Sequence, residues 1–71
     1  MRRPPIDPQL GATLAERRRA ARVTQNEIAL ELAVSEGTIS KIETARVPVP
    51  PHVRTAYESA LNRLARQAVP A

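Results

Sequence analysis

Residues 24–46 read TQNEIALELAVSEGTISKIETAR, and two helix starts lie inside this one stretch. In Thr24-Gln25-Asn26-Glu27 the threonine hydroxyl can accept from the Glu27 amide while the Glu27 carboxylate returns to the Thr24 amide, a reciprocal capping box. The second start is Ser35, where Glu36 adds favourable charge to the first turn and Val34, just before, is placed to pack inward as a staple. Ile28, Ala29 and Leu32 form the expected buried face of the first segment, with Leu30 at its edge. Ile39, Ile42 and Glu43 form that of the second, which runs to about Thr44. The spacing predicts two short helices joined by one tight corner.

Upstream, Asp7-Pro8 is a helix opening, because Asp caps free amides and Pro loses no hydrogen bond at the first helical position. This first helix is expected to reach about Ala21, with Leu10, Leu14, Arg18 and Ala21 inward at steps of four and three. A cation thus sits on an apolar stripe. So does an anion, Glu43, in the third helix. The two displaced charges imply an Arg18–Glu43 ion pair tying the first helix to the third, since guanidinium and carboxylate satisfy each other best.

Downstream, VPVPP at residues 47–51 cannot be helical at each position before a proline, so it reads as an extended connector. A long last helix is expected from near Pro51 to about Gln67, with Val53, Ala56, Tyr57, Ala60, Leu61 and Leu64 on one stripe. Its first half should close the core over the first and third helices. Its second half should project, and a projecting apolar stripe needs a partner chain, so Leu61 and Leu64 are the expected dimer contacts together with Tyr57, which reads as either a core or an interface residue with its hydroxyl at the rim.

Size and composition agree with an all-α domain. The chain has 71 residues, no cysteine, no Phe or Trp and one tyrosine, so its core must be small, aliphatic and free of disulfides. No apolar run approaches the ~18 to 20 residues of a membrane span, nor does one follow the basic N-terminus as in a secretory signal, so a cytoplasmic protein is expected. Residues 1–6 read as a flexible basic arm, 7–68 as the domain and 69–71 as a disordered tail. The net charge of +4 is uneven: six arginines face two acids in residues 1–23, one lysine faces four glutamates in 24–45, and four arginines face one glutamate in 46–71. Attraction to a polyanion would therefore come from the flanks and not from the middle segment.

Leu14, Arg18, Thr24 to Ala29, Leu32, Val34-Ser35, Thr38-Ile39-Ser40 and Ile42-Glu43 together resemble the helix-turn-helix domain of the phage Cro and repressor type, the XRE family. The likeness covers roughly residues 10 to 50. It implies a compact four-helix domain, or five helices if the last segment divides, whose third helix enters the major groove of DNA. Relatives are mostly bacterial or phage transcriptional regulators that bind as dimers, and in them a buried Arg–Glu pair joins these same two helices. Two departures stand out. The family usually has Gly in the corner where this chain has Ala33, and a left-handed residue there costs a non-glycine on the order of 1 kcal/mol. Where the family often has Asn-Gly after its buried Glu, this chain has Thr44-Ala45.

The resemblance places Ser35, Glu36, Gly37, Ser40 and Lys41 at the front of the third helix, where relatives contact bases. Lys41 suits guanine O6 or N7, Glu36 suits a cytosine amino group, and Gly37 permits close approach. The plainer readings are that Glu36 merely stabilises the helix start, that Gly37 is a propensity loss and that Thr38 bonds within the helix. Gln25 resembles the family's phosphate clamp, and Arg17, Arg22, Thr44 and Arg46 flank the surface as candidate phosphate contacts. Arg2 and Arg3 are an arm toward DNA or simply a solubilising tail. A half-site reader needs a homodimer on an inverted repeat.

Enzyme chemistry has no support in these residues: His52 stands alone without a metal-ligand or nucleophile pattern, and no cofactor or metal is expected. A module of the same fold that docks on another regulator, polymerase or toxin is the competing expectation, favoured by the acidic middle segment. A membrane-surface role for the last helix is disfavoured by its narrow, Ala-rich apolar side.

Overall fold

The computed structural model describes residues 7–67. Arg2 and Arg3 of the expected arm, and the expected tail at 69–71, lie outside the described residues. Four helices and no strand occur among those described: α1 Pro8–Ala20, α2 Gln25–Leu32, α3 Glu36–Glu43 and α4 Pro51–Gln67.

The starts of α1, α2 and α3 have the caps their sequence implies. An Asp7 carboxylate oxygen accepts from the Gln9 and Leu10 amides at 3.0 and 3.3 Å, and Pro8 occupies the position where a missing N–H does no harm. Thr24 and Glu27 exchange both bonds of the capping box, at 3.1 and 2.9 Å. Ser35 accepts from the Thr38 amide at 3.2 Å. Val23, just before Thr24, is buried in the same cluster as Ile28, which is the staple geometry. Val34, expected to do the same for α3, stays 41% exposed instead. The short corner carries it past the core edge.

The first three helices end alike. Val23, Val34 and Arg46 donate backbone amides to the carbonyls of Arg18, Ala29 and Lys41 at 3.1, 3.0 and 2.9 Å, five residues back. That closure needs the preceding residue in the left-handed region, and Arg22, Ala33 and Ala45 take φ of 58°, 57° and 59°. Ala33 therefore makes the left-handed corner without the glycine that usually makes it.

The core comprises Leu14, Val23, Ile28, Ala29, Ile39, Ile42, Tyr57, Ala60 and Leu61. Val47 and Val49 of the extended connector pack against it, so the proline-rich segment is a wall as well as a link. α3 packs on α1 and α2, whereas α4 packs chiefly on α2. The expectation that α4 covers α1 and α3 is corrected in that respect. Its links to them are side-chain bonds: the Tyr57 hydroxyl to the Leu14 carbonyl and Glu43, and Glu58 to Arg17. The dimer expectation is corrected too: Tyr57 is 0% and Leu61 3% exposed, both inside the protomer's own core, while half-buried Leu64 retains some surface. Ala56, expected on the inward stripe, is exposed. No described helix is long and apolar enough to cross a membrane.

Gly11 was not singled out by its sequence context. It shares the buried face of α1 with Leu14, Ala15 and Arg18, and α3 comes so close that a Cβ here would lie 2.6 Å from the Ile42 carbonyl oxygen and 2.9 Å from that of Glu43. The α1–α3 crossing depends on that missing carbon.

Candidate nucleic-acid interface

The outer side of α3 begins with Ser35, Glu36, Gly37 and Lys41 exposed and Ser40 half-buried. Its inner side is Ile39, Ile42 and Glu43, all buried. One eight-residue helix thus has a polar front facing solvent and an apolar back held by the core. The front is also braced from within: the Ser35 and Thr38 hydroxyls lie 2.9 Å apart and bond each other, which settles Thr38 as a local partner.

The brace behind α3 is Glu43. Arg18 donates Nε to Glu43 Oε2 at 2.7 Å and Nη2 to Oε1 at 3.0 Å, the two-pronged pairing inferred from the displaced charges. Arg18 Nη1 also donates to the Val23 carbonyl at 2.8 Å, fixing the α1–α2 corner. Gln25 Nε2 donates to Glu43 Oε1 at 3.0 Å, and the Tyr57 hydroxyl donates to Oε2 at 2.6 Å with the Leu14 carbonyl 3.4 Å away. One carboxylate therefore collects bonds from α1, α2 and α4. Among the described residues no buried side-chain polar atom lacks a partner, which is the condition under which a buried ion pair is tolerated.

The protonation states follow from that geometry. Burial is the largest influence on Glu43 and pushes its carboxyl upward, but the bonds from Arg18, Gln25 and Tyr57, with the Arg18 charge, outweigh it and hold the group below its ordinary value. Arg18 is raised, first by its bond to Glu43. Tyr57 is also raised, first by burial and then by donating to Glu43 beside that negative charge, so its hydroxyl remains a donor.

The flanking residues divide. Arg22 and Arg46 are exposed at the ends of α1 and α3. Arg17, also expected to flank the surface as a phosphate contact, is exposed but turned toward α4, donating to Glu58 Oε2 at 2.6 Å. Thr44, another expected phosphate contact, has both donors engaged in this structure: its hydroxyl donates to the Ser40 carbonyl at 2.7 Å and its amide to the same oxygen at 2.9 Å. Gln25 starts α2, but its side-chain amide turns inward to Glu43. That inward role, the Tyr57 bond and the Arg63–Glu31 bridge between α4 and α2 at 2.8 Å were not anticipated. A long side chain reaching across from another helix leaves no periodic trace in its own segment.

Two short capped helices meeting at a left-handed corner, the second with a polar outer front, define a helix-turn-helix domain. A scan against protein families gives the same answer: the model described as "Helix-turn-helix domain" matches residues 9–68. The chain belongs to that family, in keeping with its resemblance to the phage-repressor type. Comparisons with curated proteins and with solved structures return no match.

Proposed function

We propose that this chain is a sequence-specific regulator of transcription, acting as a repressor, that reads the major groove of double-stranded DNA with α3. The supporting observation is the contrast across that helix: an exposed polar front on a back fixed by the four-helix bond network at Glu43. A probe must be both accessible and stiff to discriminate bases by hydrogen bonding. Lys41 donates to a guanine edge, Glu36 accepts from a cytosine amino group, and Ser35 and Ser40 adapt to either. Arg22, Arg46 and the N-terminus of α2 meet phosphates on either side. Gln25 contributes through its second amide hydrogen, and Arg17 joins only by exchanging Glu58 for a phosphate.

The domain binds as a homodimer on an inverted repeat whose half-sites lie about one helical turn apart. With Tyr57 and Leu61 enclosed, the dimer surface includes Leu64 at the end of α4. Fluorescence anisotropy with a sequence selected from a random pool tests the reading. Lys41→Ala should weaken that complex by about 1–3 kcal/mol and relax the preference at one position, while both proteins lose affinity steeply with salt. Equal binding of selected and random duplexes by the wild-type chain would refute base reading.

A protein-docking role is favoured by one observation: Leu30 is 73% exposed on α2, close in sequence to Val34 and among the glutamates of the acidic segment. Absence of any duplex binding at micromolar protein and low salt would make docking the better account.

A further inference from the structure

The two glycines of this chain sit in helices for opposite reasons. Gly11 is required by the fold, because backbone carbonyls of α3 occupy the place of its Cβ. Gly37 has no such neighbour: a Cβ there would meet only the Ser35 Oγ, at an ordinary 3.8 Å, and even Lys41, one turn further along the same face, leaves the space empty. No glycine of the described residues takes a positive φ, so backbone freedom does not explain Gly37 either. Alanine would fit, and would favour the helix.

We infer that Gly37 is a specificity-determining residue whose missing side chain serves the partner and not the fold: the gap seats the major-groove edge of one base pair directly against the α3 backbone. The inference rests on the DNA-reading role of α3 and deepens it. The gap lies between Glu36 and Thr38 on the exposed front, where any side chain would act as a spacer and lift its neighbours away from the bases. The group that projects from a base edge with no hydrogen-bonding demand of its own is the thymine C5-methyl, which makes it the natural occupant of an uncharged, side-chain-free seat.

Gly37→Ala tests this, with thermal unfolding and anisotropy measured on the same preparation. The expected Tm is unchanged or a few degrees higher. Affinity for the sequence selected by the wild-type chain should fall at least tenfold, with binding to random duplex unchanged. Replacing one thymine of the selected half-site by deoxyuridine should weaken the wild-type complex severalfold and the variant complex much less. A lower Tm would show that the glycine serves the fold and overturn the inference, as would an unchanged affinity for the selected site. Should the wild-type chain select no sequence at all, the base-reading role itself fails; should it select one that Gly37→Ala binds equally well, only the assignment of Gly37 fails.

Discussion

At the scale of single residues, Glu43 connects the most of this molecule. Its side chain is 3% exposed and accepts four bonds, so truncation leaves the Arg18 charge buried without a counter-ion. Glu43→Ala should destabilise by about 3–5 kcal/mol in urea unfolding, a large part of the total for a domain this small. The pH dependence has a definite sign. Because the folded carboxyl is held below its unfolded value of about 4.3, the stabilisation is complete above that pH and is lost as pH falls through the folded value. Urea midpoints should be level from pH 7 to about 5 and decline below; midpoints level down to pH 3 would contradict the assignment. The Arg18–Glu43 pair was legible because each charge interrupts an apolar stripe. The Tyr57 and Gln25 bonds were not, since neither residue is out of place in its own helix.

At the scale of elements, the helix boundaries were legible because Asp7, Thr24 and Ser35 are chemically marked starts and each forms its cap. The ends were less so. Arg22, Ala33 and Ala45 take the left-handed conformation without the residue type that announces it. Ala33→Gly should therefore stabilise the domain by about 0.5–1 kcal/mol, the relief of left-handed strain exceeding the added freedom of the unfolded chain. A fall in Tm for that variant would mean the Ala33 methyl has a packing role. Gly11→Ala should act in the opposite direction, by about 1–3 kcal/mol, because α1 and α3 must separate to admit the methyl. Differential scanning calorimetry of the two variants checks both signs. Gly11 was silent in the sequence because the proximity of two helices is invisible along either one.

At the scale of the whole molecule, the fold class followed from the sequence, but the seat of α4 did not. Its stripe specifies which side is buried, not which helices cover it, and α4 lies chiefly on α2. That placement encloses two of the three residues expected at a dimer contact. Exposed bridges such as Arg17–Glu58 and Arg63–Glu31 steady the arrangement but contribute only about 0–1 kcal/mol each. The result is a small body in which one helix is fixed from behind and open in front. Backbone amide chemical shifts, followed while a selected duplex is titrated into the labelled protein, test that claim most directly. The largest changes should fall on Ser35 to Lys41 and on the start of α2, with the interior of α4 nearly still; changes centred on α4 or on Leu30, with α3 unmoved, would contradict it.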